Sequence, residues 1–323
     1  MNEPWFDNRG ERIQAHGGSV KFFEGKYYFF GENKEDTLPG AGIWHQGVNC
    51  YSSDDLINWT FENTILKPSD NLWNPLHPTR IMDRPHVIYN KKNQEYVMWV
   101  KLVGSDENPR DWNQQFMGIA TSKSITGEFK LVDRIVPLGM SSGDFDLFVD
   151  DDEQAYIIFG KVHTEIIVAN LTEDYKNITG EYTSHLHFFG PPIAREAPAV
   201  FKRQNKYYMI TSGTTAYYPN SSLMATADNM HGPWYIMGDP CVEDMDQNSF
   251  NSQISSVLKV EGTDQYIAIG DRWVVDLTKP VEKSSWNINT SIAEYVWLPF
   301  SFEQEMPQLK WMEKWTPKIK ETI

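Results

Sequence analysis

The sequence predicts an all-β protein, a five-bladed β-propeller, and two observations support this fold class. First, one pattern of an apolar strand, a polar turn and a second apolar strand occurs five times, for example in SVKFFEGKYYFFGE and in REAPAVFKRQNKYYMIT. Second, the copies begin about 60 residues apart, slightly more than the roughly 50 residues of kelch-type blades, and only strand signals lie between them. The first core residues of the five hairpins are Val20, Val87, Leu147, Val200 and Val257.

The same repeat predicts where side chains meet. A propeller brings the inner strand of each blade to a common axis, so residues just before each first core residue converge on one face. At or beside the position four residues before the core residue, three blades carry a carboxylate and a fourth carries an amide. We therefore predict one axial pocket. The residues at this position are His16, Asp83, Gly143 with Asp144 beside it, Glu196 and Gln253.

Composition limits the class of protein and its partners. The chain has 323 residues, of which 40% are hydrophobic, and no linker or low-complexity segment divides it. We expect a single domain over residues 1–323, with the ring closed by the C-terminal strands, which would pair with the first blade. The net charge of −15, scattered along the chain, argues against a nucleic-acid partner and disfavours a polyanionic substrate. The sequence carries no signal for the oligomeric state.

Neither a metal site nor a membrane segment is predicted. Cys50 and Cys241 show no metal-ligand spacing, so we expect reduced, structural thiols, and no cofactor is expected either. The acidic run over residues 150–153 lacks the ligand spacing of a calcium loop and is typical of a hairpin turn. The start of the sequence has no apolar signal region, and no run of about 18 apolar residues occurs. These features predict a cytoplasmic protein, or a secreted one if a leader has been removed.

Blades one and two each carry a candidate with a structural alternative. His16 stands in the axial position of IQAHGG, although a buried core histidine in a tight turn is the ordinary interpretation of a lone histidine. Glu32 ends the second strand of the first hairpin. Asp83 precedes Arg84 and could form a surface ion pair, but its register with Glu196 favours the axial site.

Blades three to five add further candidates. Asp144 has the axial register, whereas Asp146 is expected to brace the turn. Thr214 and Tyr217 lie in SGTTAYYPN, a loop bounded by Gly and Pro whose aromatic side chains suit contact with a sugar. In blade five, the candidates are Gln253 and the pair Arg272 and Trp273 of GDRW.

At these residues the chain resembles glycoside hydrolase family 43, and within it the branch that contains exo-β-1,3-galactanases. The resemblance covers nearly the whole chain and rests on nine strings in the same order. They are IQAHGG, CYSSDDLINW, DRPHVIYN, SGDFDLFVDDD, REAPAVFK, SGTTAYYPN, FNSQ, GDRW and YVWLP. The resemblance implies a five-bladed propeller that hydrolyses glycosides with inversion at the anomeric carbon.

The resemblance also implies roles for individual residues. Glu196 matches the general acid, and Asp144 matches the carboxylate that orients this acid and raises its pKa. The general-base Asp that most of the family has in blade one is absent at His16, Gly17 and Gly18, and Gln253 matches a residue proposed to position the water. Asp83 stands where the branch usually has Glu. Substrate contacts are expected from Asp83, Glu32, His16, Thr214, Tyr217, Arg272 and Trp273.

These roles predict an enzyme that releases galactose from β-1,3-galactan, the backbone of arabinogalactan. An inverting hydrolase holds a protonated carboxyl and a water on opposite faces of the sugar, so its two catalytic groups stand about 6.5–9.5 Å apart. Two alternatives remain. An α-L-arabinofuranosidase or a β-xylosidase would use the same acid with different loops. A non-catalytic sugar-binding propeller would explain the missing base, but it would not need an acid paired with a second carboxylate.

Overall fold

A computed structural model describes residues 4–105, 107–278 and 288–319 and confirms the five-bladed β-propeller. Apart from two short 3₁₀ turns, at Pro137–Gly139 and Thr290–Ile292, the regular structure of these described residues is entirely β. Within the described ranges, no helix has the length and apolar character needed to cross a bilayer. Cys50 and Cys241 are buried free thiols.

Each of the first four blades is a four-stranded antiparallel sheet. Blade one consists of β1 (His16–Phe23), β2 (Lys26–Glu32), β3 (Val48–Ser53) and β4 (Thr60–Leu66). Blade two consists of β5 (Ile81–Asn90), β6 (Glu95–Val103), β7 (Gln115–Ser122) and β8 (Lys130–Ile135). Blade three consists of β9 (Ser142–Val149), β10 (Ala155–Lys161), β11 (Glu165–Leu171) and β12 (Ile178–His185).

The remaining strands form blades four and five and a terminal hairpin. Blade four consists of β13 (Arg195–Arg203), β14 (Lys206–Gly213), β15 (Leu223–Ala227) and β16 (Tyr235–Gly238). In blade five the described residues form three strands, β17 (Gln253–Lys259), β18 (Tyr266–Arg272) and β19 (Glu294–Pro299). Within the part of the chain that the structure describes, the strands β20 (Ser301–Glu303) and β21 (Met306–Gln308) form a two-stranded sheet of their own.

The polar turns of blades one and four are tight, two-residue hairpin loops. In blade four, Arg203 pairs with Lys206, so only Gln204 and Asn205 lie in the loop, and their φ angles are 49° and 64°. Two successive left-handed residues form the type I′ turn, whose twist matches the twist of the flanking strands. These turns fix the register in which the apolar residues of both strands face the neighbouring blades.

The core lies between blades rather than at the axis. Aromatic side chains fill much of it, including the fully buried Trp59, Trp99 and Trp297. The inner strands β1, β5, β9, β13 and β17 each contact the next one around the ring, and β17 contacts β1. This circular order brings the starts of all five inner strands together.

The ring closes differently from the prediction. We expected the C-terminal strands to pair with blade one, but among the described residues β19 pairs with β18 and completes blade five. The physical reason is that residues 16–66 already supply four strands to blade one. The first and fifth blades are joined by side-chain packing, with the ring centroid of Trp5 lying 5.2 Å from Tyr295 and 4.9 Å from Trp297.

A β-bulge interrupts the inner hairpin of every blade at the level of the axial position. The register shifts lie between His16 and Ser19 in β1, and at the equivalent places in the other four hairpins. In three blades the residue after the axial position is left-handed, with φ of 60° at Gly17, 54° at Arg84 and 46° at Ala197. Bulges of this kind redirect side chains, and here they set the direction of the groups around the axis.

Candidate active site

A pocket of about 600 Å³ opens where the five inner strands begin. Side chains from all five blades line it. Eight of the ten predicted site residues are in its wall: Glu32, Asp83, Asp144, Glu196, Thr214, Tyr217, Gln253 and Trp273. His16 and Arg272 are not.

Glu196 lies in this wall at the start of β13. Burial raises its pKa to about 8, and the negative charge of Asp144 acts in the same direction, while Lys101 and Arg84 oppose the shift. The amide of Gln253 donates a hydrogen bond from Nε2 to Glu196 Oε1 at 3.1 Å. At neutral pH this carboxyl therefore carries a proton that it can give to a bound molecule.

Asp144, at the start of β9, has the opposite protonation state. Burial alone would raise its pKa, but ion pairs with Arg84 and Lys101 lower it to about 2. Lys101 Nζ lies 2.6 Å from Asp144 Oδ1, and Arg84 Nη2 lies 2.9 Å from Asp144 Oδ2. Two neighbouring carboxyls in one pocket thus differ in charge, as acid-base sites require.

Asp83 and Glu32 form a second acidic pair in the wall. Asp83 Oδ2 lies 3.0 Å from Lys101 Nζ, and Asp83 Oδ1 accepts a 2.6 Å hydrogen bond from the indole nitrogen of Trp44. Glu32 Oε2 lies 2.5 Å from Lys34 Nζ. Burial raises the pKa of Glu32 to about 7 in spite of Lys34, whereas Lys101 and Lys34 overcome burial and hold the pKa of Asp83 below its usual value.

Buried cations offset negative charge in the pocket. Three cations, Lys34, Arg84 and Lys101, face the four carboxyls of the site. Lys161 and Arg195 also line the pocket. Burying such a network is tolerable only when the charges have partners, and Lys34, Arg84 and Lys101 each contact at least one carboxylate.

Gln253, at the start of β17, connects several of these groups. Its Oε1 accepts hydrogen bonds from the Arg84 guanidinium and from Trp273 Nε1, the latter at 3.2 Å. Its Nε2 donates to Glu196 Oε1 and to Ser212 Oγ, the latter at 2.9 Å. The amide therefore ties blade five to blades two and four.

Aromatic rings form the remaining side of the pocket. Trp44 lies 5.6 Å from Trp112 and 6.2 Å from Tyr217, and Tyr217 lies 5.2 Å from Trp273, measured between ring centroids. Such a surface offers flat apolar faces to a ligand that also needs hydrogen bonds. Thr214 lines the pocket, and its hydroxyl donates to the Ala194 carbonyl at 2.8 Å.

The sequence decides the family. Residues 14–274 match the profile of the Glycosyl hydrolases family 43. The chain belongs to glycoside hydrolase family 43. It is a glycoside hydrolase, and the five-bladed propeller is the fold of that family.

Solved members of family 43 are similar along nearly the whole chain. A β-1,3-galactosidase solved with galactodeoxynojirimycin is 30% identical, with a TM-score of 0.83, covering 97% of this chain and 99% of that one. An exo-β-1,3-galactanase from Phanerochaete chrysosporium, solved with galactose, is 28% identical with a TM-score of 0.79. That match covers 95% of this chain and 65% of the Phanerochaete enzyme. A match to another β-1,3-galactosidase covers 62% of the length of that protein.

A curated relative has a different sugar in its name. The β-D-galactofuranosidase xynD of Aspergillus niger is 25% identical over 244 residues, which cover 72% of this chain and 67% of that protein. The family is therefore established, but relatives that are 25–30% identical to this chain are named after different substrates.

His16 is not a pocket residue of this family 43 hydrolase, contrary to prediction. Its side chain is fully buried, its Nδ1 lies 3.0 Å from Asp271 Oδ1, and its ring stacks on Tyr295 at 4.8 Å. The reason lies at Gly17, where an added Cβ would be 2.5 Å from Glu32 Oε1. The carboxyl of Glu32 therefore fills the space that blade one would otherwise offer to its axial residue.

Arg272 was also predicted to line the pocket, and it does not. It is 5% exposed, and its guanidinium donates to the backbone carbonyls of Asn251 and Phe250, both at 3.2 Å. Its Nη1 lies 3.8 Å from Glu294 Oε2. As the last residue of β18, Arg272 faces the loop before β17 and the start of β19, where it supports the wall from behind.

Sequence reasoning missed the three buried cations. Lys101 could have been found from the sequence, because it interrupts the apolar run of β6. A lysine in a buried strand almost always has a charged partner, so this position predicts a buried ion pair. Arg84 and Lys34 each lie within two residues of a predicted acid. Among the described residues, no group of three or more His, Cys, Asp or Glu side chains could hold a metal ion.

Proposed function

We propose that this enzyme releases terminal galactose from β-1,3-galactan with inversion of configuration. One observation carries the catalytic part of the proposal: Glu196, protonated at neutral pH, lies in a pocket beside the ionised Asp144. The choice of substrate is supported by the similarity to β-1,3-galactosidases. The Phanerochaete enzyme has also been solved with β-1,3-galactotriose.

In the proposed reaction, Glu196 gives its proton to the glycosidic oxygen as the bond from that oxygen to the anomeric carbon breaks. A water adds to the anomeric carbon from the opposite face and loses a proton, so one water is consumed and Glu196 ends as a carboxylate. Asp144 stays ionised throughout because of its two cationic partners. Its charge favours the protonated form of Glu196 before the reaction.

The wall across from Glu196 suits the sugar and the water. In the ring, blade four touches blades three and five, so blades one and two lie across the axis from it. These two blades bring Glu32 and Asp83, whose oxygens can accept hydrogen bonds from sugar hydroxyls and from the water. Glu32, with a pKa of about 7, can also take up the proton that the water loses.

A galactofuranosidase is the second candidate, favoured by the similarity to the Aspergillus niger protein. Arabinofuranosidase and β-xylosidase activities are possible with the same acid, because loops alter the sugar specificity of a fold. A binding-only propeller is disfavoured, since recognition does not require a carboxyl whose pKa is raised to about 8 beside an ionised partner.

The test is an incubation of the purified protein with β-1,3-galactobiose, β-1,4-galactobiose and the 4-nitrophenyl glycosides of arabinofuranose, xylose and galactofuranose. Released sugar is followed by chromatography, and proton NMR identifies the anomer that forms first. We expect galactose from the β-1,3 dimer alone, with α-galactose formed first. Release from one of the aryl glycosides alone would overturn the substrate, and β-galactose as the first product would overturn inversion.

A further inference from the structure

The side chain of Gln253 has no free hydrogen-bonding position. A carboxamide oxygen has two lone pairs and its nitrogen has two hydrogens. Here the oxygen accepts from Arg84 and Trp273, and the nitrogen donates to Glu196 and Ser212. All four positions are therefore used by protein groups.

The direction of this amide is determined by its partners. Arg84 and Trp273 can only donate hydrogen bonds, through the guanidinium and the indole nitrogen. Turning the amide by 180° would place its NH₂ group against both donors. The oxygen of Gln253 must consequently face Arg84 and Trp273, and its nitrogen must face Glu196.

This arrangement disagrees with the water-positioning role predicted for Gln253. Holding a water requires a free lone pair or a free hydrogen, and the described contacts leave neither. The same arrangement acts directly on the proton of Glu196. A neutral carboxyl has one accepting oxygen and one O–H group, and the N–H of Gln253 points at Oε1.

We propose that Gln253 is a positioning residue for the acid: by donating to Oε1 of Glu196, it places the proton on Oε2, which then donates this proton to the substrate. This inference rests on the proposed hydrolase chemistry. Among the described residues, the structure gives Oε2 no protein hydrogen bond, while Oε1 is held at 3.1 Å from Gln253. Ser212 and Arg84, on either side of the amide, keep it in place.

The test compares leaving groups. Protonation by the acid matters greatly for a sugar leaving group and little for 2,4-dinitrophenolate, which departs without a proton. We expect Gln253→Ala to lower kcat/KM for β-1,3-galactobiose about 100-fold, and to lower it for 2,4-dinitrophenyl β-galactoside only about threefold. Glu196→Gln serves as the comparator and should show the same selectivity. Similar losses on both substrates would overturn the proposal in favour of a role in holding the water.

A second measurement does not depend on turnover. The hydrogen bond from Gln253 lowers the pKa of Glu196, so Gln253→Ala should raise that pKa. A ¹³C NMR titration of the carboxyl, assigned with Glu196→Gln, measures it, with folding checked by circular dichroism. An unchanged pKa would contradict the inference. If wild type cleaves another glycoside and no galactoside, the proposed substrate fails, and the leaving-group comparison is made with that sugar.

Discussion

At the scale of single residues, the site depends on two carboxyls held in opposite protonation states. Glu196 and Asp144 share the same pocket, but only Asp144 contacts cations directly, at 2.6 and 2.9 Å. Asp144 is ionised and Glu196 is protonated because blade three, which carries Asp144, faces Arg84 and Lys101. The sequence could predict both carboxyls from their register, but it could not predict which of them pairs with Arg84 and Lys101, because these two cations lie on strands of blade two.

Replacing Asp144 by Asn should move the alkaline limb of the pH–rate profile to lower pH. The anion of Asp144 raises the pKa of Glu196, so its removal lowers that pKa, and the proton of Glu196 is lost at a lower pH. Arg84 and Lys101, left without this partner, lower it further. The profile of kcat/KM between pH 5 and 10 measures the effect. An alkaline limb that stays in place would contradict the influence of Asp144.

Replacing Glu196 by Gln should stabilise the protein at alkaline pH while abolishing turnover. The folded state raises the pKa of Glu196 to about 8, above its ordinary value of 4.5, so the protein loses stability as pH rises from 4.5 through 8. Each unit of pKa shift corresponds to about 1.4 kcal/mol. The free energy of unfolding, from urea titrations at pH 5 and pH 9, should fall less in the variant. Parallel decreases in both proteins would refute this.

At the scale of elements, the bulges of the inner hairpins decide which side chains reach the pocket. The repeat predicted the axial position, but a propensity pattern does not show a bulge, and this explains the wrong placement of His16. Its neighbour Gly17 is left-handed, with φ of 60°, and Glu32 occupies the space beside it. The sequence offered both His16 and Glu32 as candidates, and the three-dimensional register shows that Glu32 of the second strand supplies the acid of blade one.

Ala197 provides a test of the bulge in blade four. Its φ of 46° lies in the left-handed region, where an L-residue with a Cβ is strained. Ala197→Gly should therefore leave stability unchanged or raise it by about 1 kcal/mol, although Ala→Gly within a strand ordinarily destabilises. Ala199→Gly, two residues further along the same strand, is the matched control and should destabilise. Thermal unfolding of both variants measures the effect. Equal destabilisation of the two would contradict backbone strain at Ala197.

Asp146 joins three blades instead of bracing its own turn. Its Oδ1 lies 2.9 Å from His86 Nδ1 on β5, and its Oδ2 accepts a 2.8 Å hydrogen bond from the backbone nitrogen of Val200 on β13. Asp146→Ala would leave both partners buried without an acceptor. We expect a loss of about 2–6 kcal/mol in the free energy of unfolding, about 1–3 kcal/mol for each N–H group left without an acceptor. A loss below about 1 kcal/mol in urea titrations would contradict this role.

At the scale of the whole molecule, the ring joins its first and last blades through aromatic packing. Trp5 contacts Tyr295 and Trp297 across this junction, and Trp297 also packs on Phe29 of blade one at 5.1 Å. The repeat predicted the number of blades, because each blade has a local pattern. The mode of closure has no local pattern, since it depends on contacts between residues almost 300 positions apart, and it could not be predicted from the sequence.

The balance of charges inside the pocket has a consequence for encounter with the substrate. The chain as a whole has a net charge of −15, yet the carboxyls of the pocket pair with Lys34, Arg84 and Lys101, and Lys161 and Arg195 also line the pocket. A neutral galactoside is neither steered nor repelled, so its kcat/KM should stay within about twofold between roughly 10 and 150 mM NaCl. A glucuronic-acid-bearing substrate should gain in kcat/KM as salt screens the acidic surface. Stopped assays across this range of ionic strength would measure both, and a strong salt effect on the neutral sugar would contradict the balance.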